Sequence, residues 1–210
     1  MYDKLYSEIF ITGRKGIART IMHKLLESGD NHKHFSQVLE IGANQGEHFS
    51  YVKHTFDRYL MTDVQDRINE SLLTESVEFE LADVCNLHYE SNYFDKITVT
   101  CVLQHVQDPE AALIHLLRCL RPGGTCRILL MCDSKLSFRL IRSLTTLRKA
   151  KKFGLLEEVE VFFAREHRND YIKIIKLAEY NFKGHKLVQT SWPFRFWQME
   201  IFRVLELTKL

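Results

Sequence analysis

The spacing of apolar and polar positions changes several times along this chain, and each change marks an element. In KGIARTIMHKLLES, Ile17, Ile21 and Leu25 recur at helical spacing and predict an amphipathic helix. From Gln37 onward short apolar runs take over, and QVLEIG, RYLMTD, VEFELAD, FDKITVTCVL and TCRILLMC predict five strands. Between them, 46–56, 66–74 and 108–120 read as helices. The last of these has Asp108 as N-cap and Pro109 in its first turn, and it stops at RPGG. Residues 134–182 carry a long, largely helical stretch, after which HKLVQT and MEIFRVLEL predict two further strands. Strands alternating with helices imply an α/β fold, a Rossmann-like three-layer sandwich on a mostly parallel seven-stranded sheet. The last two strands supply its antiparallel edge, and a helical insertion follows strand five.

The 210 residues suit one domain. It divides into an N-terminal helical cover (1–36), a central core (37–132), a helical insertion (133–183) and the C-terminal strands (184–210). Hydrophobic residues at 45% and charged residues at 27%, with only three prolines, argue against disorder and against a repeat array. The formal net charge of +2 gives no global field that would draw the chain to nucleic acid. Five cysteines, none in a C-x-x-C pair and most within apolar runs, read as buried reduced thiols. The opening MYDKLYSEIF lacks the basic start and apolar stretch of a signal peptide, and no apolar run reaches membrane-spanning length. A cytoplasmic location is the expectation.

In a parallel sheet, ligands bind beyond the carboxyl ends of the strands. The turn VLEIGANQGEHF lies at such an end, yet Asn44 and Glu47 stand where a dinucleotide fingerprint starting at Gly42 needs glycines. A carboxylate at Glu47 would repel a pyrophosphate, and no Gly-Lys-Ser/Thr sequence opens a phosphate loop. What remains is Glu40 at the strand end, Gly42 and Gly46 framing the bend, and Asn44, which tolerates a left-handed backbone. A cationic ligand carrying ribose and adenine suits this turn. Asp63 closes the second strand about 20 residues on, where a carboxylate can accept from both ribose hydroxyls. Asp83 closes the third, where it can accept from an exocyclic amine.

The ordered pieces VLEIGANQG, YLMTD, LADV, FDKITVTCVLQHVQDP and LRPGGTCRILLM resemble the class I S-adenosylmethionine-dependent methyltransferases, in particular the type 11-like small-molecule branch. The resemblance makes 37–132 a cofactor-binding core. It implies that Gly42, Ala43, Asn44 and Gly46 surround the methionine part of S-adenosylmethionine, that Asp63 binds the ribose, and that Asp83 and Val84 flank the adenine. Glu40 and Val102 join this cofactor set, and Gln104 and His105 lie near the methyl group. Asn44 departs from the small residue commoner in this turn. The implied activity is methyl transfer to an O or N atom of a small metabolite, such as a saccharide, a lipid-linked compound or a natural-product intermediate. A non-catalytic cofactor-binding scaffold and a nucleotide-dependent oxidoreductase stand as alternatives.

A sulfonium makes its own methyl electrophilic, so the protein mainly aligns a nucleophile and excludes water. A hydroxyl acceptor would gain from a histidine that takes its proton. His105, just past strand four, and His167, in FFAREHRNDY, are the candidates for that catalytic role. Arg165, Arg168, Asn169 and Tyr171 surround His167 with hydrogen-bonding groups that suit a substrate, and Tyr2 and Tyr6 join them as substrate-binding candidates, the resemblance implying that the N-terminal segment covers the cofactor. No metal site is expected, because His32 and His34 have no partner acids and only Asp133 follows strand five. The absence of an N/D-P-P-Y/F tetrapeptide after strand four argues against nucleic acid as acceptor. In KLSFRLIRSLTTLRKAKKF, Leu136, Leu140, Leu144 and Leu147 form a stripe among seven basic residues and no acid. Such a helix either closes over the crevice as a lid or lies on an anionic membrane surface.

Overall fold

The computed structural model describes residues 17–195 and 199–210, so Tyr2 and Tyr6 lie outside the described residues. Helix α1 (Ile17–Leu26) precedes strands β1 (His34–Ile41), β2 (Thr55–Asp63), β3 (Val77–Leu81) and β4 (Phe94–Thr100). Helix α2 (Pro109–Cys119) leads directly into β5 (Leu120–Met131). The insertion holds α3 (Leu136–Arg142), a π-helical segment (Ser143–Leu147), α4 (Arg148–Phe153), α5 (Leu156–Glu166) and α6 (Tyr171–Asn181). Strands β6 (Lys186–Trp192) and β7 (Phe202–Thr208) complete a seven-stranded sheet in the order β3-β2-β1-β4-β5-β7-β6. All pairings are parallel except those of β7, which runs antiparallel to β5 and β6 and so sits one position in from the edge.

The strands match the apolar runs because both faces of the sheet are covered. On one face Leu39, Ile41, Ile97 and Val99 pack with Leu113 and Leu116 of α2 and Ile174 and Ala178 of α6. On the other, Leu26 of α1 packs with Leu129, Phe202 and Val204, and Val38, Tyr59 and Met61 pack beneath the turn that follows β1. Helix α2 starts as its sequence predicts: the Asp108 carboxylate accepts from Glu110 N and Ala111 N at 3.0 Å, and Pro109 occupies the first turn.

Two predicted helices do not form. Residues 46–56 contain only a 3₁₀ turn at Phe49–Tyr51, and 66–74 only one at Glu70–Leu72. The first is cut short because Thr55 already pairs with His34 and donates its N–H to Lys33 O at 3.0 Å, starting β2. In the second, Asn69 Oδ1 takes the Ser71 N–H at 3.2 Å, and Thr74 and Val77 bond to one another as a turn. Strand β4 ends at Thr100, three residues before its apolar run does, because Cys101 takes φ 56° and redirects residues 102–105 toward the glycine turn.

The stripe in 135–153 is divided. Leu147 and Ala150 pack against Leu155, Val159 and Phe162, whereas Leu136, Leu140 and Leu144 are exposed. Among the described residues no helix is long and apolar enough to cross a membrane.

Candidate functional site

The turn after β1 is held in a shape that only certain residues adopt. Gly42 has φ 79° and Asn44 φ 49°, and the N–H groups of Gly42 and Ala43 both donate to Thr62 O, at 2.8 and 3.0 Å. A Cβ on Gly42 would sit 2.2 Å from Val102 Cγ2, so the loop after β4 rests directly on this glycine. Gly46, at φ 83°, is similarly overlaid by Leu72, which a Cβ would meet at 2.3 Å. This close approach gives Val102 its place at the turn.

Asp63 ends β2 half-buried, and its Oδ2 accepts the Asn44 N–H at 2.9 Å while Oδ1 accepts from Gln65 N at 3.1 Å. The carboxylate and the glycine turn are therefore one unit. Asn44 Nδ2 in turn donates to Glu47 at 3.1 Å, and Arg19 of α1 bonds Glu47 at 2.9 Å, which ties the N-terminal helix to the turn. Among the described residues, the buried Oδ1 of Asn44 has no hydrogen-bond partner. Asp83 is exposed after β3, with Oδ1 taking the Cys85 N–H at 2.8 Å, and Val84 beside it is buried.

Glu40 stands elsewhere. It is fully buried on the face of β1 shared with Val38 and accepts from Tyr59 Oη at 2.7 Å, so it lies in the interior rather than at the mouth of the turn. Strand alternation dictates this: Leu39 and Ile41 face one layer, Val38 and Glu40 the other. Burial pushes its carboxyl above the usual range. A charged cluster supports the same side. Glu27 receives His48 Nε2 at 3.1 Å, His54 Nδ1 at 2.8 Å and Lys96 Nζ at 2.8 Å, and Asp30 receives Lys96 at 3.0 Å and Arg127 at 2.7 Å. Burial alone would raise the Glu27 carboxyl, yet the two histidine bonds and the Lys96 charge hold it well below its ordinary value.

Beyond β4 the loop is pinned by Gln104. Its buried side-chain amide donates to Met131 O and accepts from Met131 N, both at 2.9 Å, and its main-chain carbonyl accepts from Arg168 N and Asn169 N. Both ends of this side chain bond backbone of β5, so Gln104 fastens the loop after β4 to β5. His105 Nδ1 lies 3.0 Å from Glu166 O. A carbonyl only accepts, so Nδ1 carries the proton and Nε2 is the basic nitrogen. Burial, followed by the neighbouring His167, pushes the His105 pKa down to about 4.

The two candidate histidines, far apart in sequence, meet edge to face with ring centroids 4.8 Å apart. His167 Nδ1 lies 2.8 Å from Asp133 Oδ2 at the end of β5, which again assigns the proton to Nδ1 and basicity to Nε2. A cleft of about 270 Å³ opens here, lined by Asp133, Ser134, Arg142, Phe163, His167, Asn169 and Asp170. The Arg142 guanidinium lies over the Phe163 ring, 4.7 Å from its centroid.

Of the substrate residues read from the sequence around His167, the structure brings only Asn169 to this cleft. Its Nδ2 donates to Leu103 O and Val106 O and its Oδ1 accepts from Lys173, so it buttresses the loop. Arg165 and Arg168 are exposed and outside the lining. Tyr171 is buried, lines a separate cleft beside Arg203, and has its phenol pushed up to about 12 by burial. Asp133, Arg142 and Phe163 were missed. Asp133 carried a signal, an acid directly after a strand at the ligand-binding edge; Arg142 and Phe163 carried none beyond their helical context.

Residues 39–128 match the family described as Methyltransferase domain. Over 141 residues the chain is 30% identical to phosphoethanolamine N-methyltransferase 1 of Arabidopsis thaliana, covering 63% of this chain and 28% of that enzyme. It is 26% identical, also over 141 residues, to the ubiquinone/menaquinone biosynthesis C-methyltransferase UbiE of Vibrio cholerae, covering 62% of this chain and 52% of the relative. The chain thus spans about half or less of the length of these curated relatives. Among solved structures, a possible histamine N-methyltransferase from Thermotoga maritima superposes with a TM-score of 0.65 at 17% identity, over 100% of this chain and 94% of that one. The N-methyltransferase NodS of Bradyrhizobium japonicum, solved with S-adenosyl-L-homocysteine, superposes with a TM-score of 0.63 at 16% identity, over 99% and 97% of the two chains. Both likenesses establish the fold.

Proposed function

We propose that the chain transfers a methyl group from S-adenosylmethionine to a hydroxyl-bearing small acceptor, a reading supported by the match of residues 39–128 to the family described as Methyltransferase domain. The observation that carries this reading is the union of Asp63 with the glycine turn through the 2.9 Å bond from Asn44 N. It sets a carboxylate for a ribose beside a bend with no room for side chains, and no phosphate-binding pattern competes for it. Gly42, Ala43 and Asn44 would border the methionine part, Asp63 the ribose, and Asp83 with Val84 the adenine. Bound there, the cofactor supplies a methyl group made electrophilic by its sulfonium.

The chain's own residues would then deal with the acceptor and its proton. His167 is the base in this reading, because it lines the cleft and Asp133 fixes its tautomer and would stabilise the imidazolium that forms. His105 packs on the His167 ring and stays neutral down to about pH 4, so it shapes the pocket without adding charge. Arg142 offers the same cleft a cation, which favours acceptors carrying an acidic group near the hydroxyl, as in acidic or phosphorylated saccharides and lipid-linked intermediates.

The test is formation of S-adenosylhomocysteine across a panel of hydroxyl and amine acceptors. Hydroxyl acceptors should turn over, and Asp133→Asn should lower kcat roughly 10²-fold or more while leaving cofactor affinity unchanged. Tight cofactor binding with no product from any acceptor would favour a non-catalytic binder. Turnover confined to amines with Asp133→Asn fully active would remove the base role.

A further inference from the structure

We propose that the helix spanning 136–153 docks the protein on the surface of a bilayer rich in anionic phospholipid. The exposed large apolar residues are Leu136 (59% exposed), Leu140 (57%), Ile141 (39%), Leu144 (47%) and Phe153 (48%). Leu136, Leu140 and Leu144 follow one another along one side of the helix, and that side is packed only toward its C-terminal end, where Leu147 and Ala150 meet Leu155, Val159 and Phe162. Exposed Arg139, Arg148, Lys151 and Lys152 flank the patch. The whole stretch 135–153 holds seven basic residues and no acid.

Charge complementarity selects the occupant. A second copy of this helix would bring like charges together, and a neutral apolar partner would leave the cations unanswered. Lipid phosphates satisfy them while the leucines enter the boundary between headgroups and acyl chains. Eighteen helical residues extend roughly 27 Å, long enough to lie along a bilayer surface though lacking the apolar content to cross it. Arg142 belongs to the same helix and lines the Asp133–His167 cleft, which ties the docking segment to the candidate site.

The experiment is co-sedimentation of the full chain with vesicles of an equal phosphatidylglycerol and phosphatidylcholine mixture, compared with phosphatidylcholine alone. Binding to the anionic vesicles only, weakened at roughly 0.5 M salt, is expected. The double variant Arg148→Gln/Lys152→Gln should bind roughly 30-fold more weakly, from two lost charge contacts, and Leu144→Ser roughly tenfold more weakly. All three side chains are exposed, so circular dichroism and melting should match the wild type. No binding to anionic vesicles at low salt, or equal binding to both vesicle types, would overturn the proposal. So would a concentration-dependent dimer that Leu144→Ser dissociates and that does not sediment with vesicles. None of these readouts uses the methyltransferase activity.

Discussion

Gly42→Ala probes the turn on which the site is built. The added methyl meets two separate obstacles. Its backbone would have to hold φ 79°, which an L side chain resists by about 1–2 kcal/mol. Its Cβ would also lie 2.2 Å from Val102 Cγ2, an overlap that demands displacement of the loop after β4; overpacking of this kind costs about 1–3 kcal/mol. Thr100 O lies behind at 3.5 Å, so the methyl has little freedom to move away from Val102. The sum is roughly 2–5 kcal/mol. In urea unfolding, with a slope of about 2–3 kcal/mol/M for a chain of this size, the midpoint should fall by roughly 1–2 M. Val102→Ala in the Gly42→Ala background removes the overlap and leaves the backbone strain, so a double-mutant cycle should return a coupling of about 1–3 kcal/mol. A loss below about 1 kcal/mol for Gly42→Ala, or a cycle with no coupling, would refute the claim that the two loops press on each other at this glycine.

Two further expectations concern titration and buried charge. The His105 pKa in the folded protein, about 4, lies below its unfolded value, so the unfolded state binds the extra proton and stability falls as pH drops from about 6.5 to 4. The loss attributable to this residue is at most about 3 kcal/mol, and His105→Asn, which can still donate to Glu166 O but does not titrate, should show that much less loss in urea melts at pH 7 and pH 4. Lys96→Met leaves Glu27 and Asp30 short of a buried countercharge and should cost about 3–5 kcal/mol at neutral pH. That deficit should narrow in acid, where Glu27, held below its ordinary pKa by its partners, finally takes up a proton.

The strands and the acids at their ends were legible because sheet burial writes itself as apolar runs, and because a parallel sheet puts its ligand at one edge. Asp63 and the cap at Asp108 could be read from position alone. The helix expected at 46–56 could not be refused from sequence, since what prevents it is the pairing of Thr55 with His34 and the burial of His48 against Glu27, contacts between segments more than 20 residues apart. Glu40 stands at the strand end as read, and its burial against Tyr59 follows from strand parity. The meeting of His105 and His167 depends on how the insertion folds back over Gln104, which no local pattern records. Periodicity likewise found the leucine stripe in 136–147 without saying that its upper part faces outward.

The central claim, that the glycine turn and Asp63 hold S-adenosylmethionine, is most directly tested by isothermal titration calorimetry of the wild type and Asp63→Ala with S-adenosylmethionine and, separately, NAD(P). The account predicts saturable binding of S-adenosylmethionine alone, weakened in the variant by about 1.5–3 kcal/mol from the loss of charge-assisted bonds. Binding of NAD(P) without any response to S-adenosylmethionine, or an affinity for S-adenosylmethionine indifferent to Asp63, would contradict it.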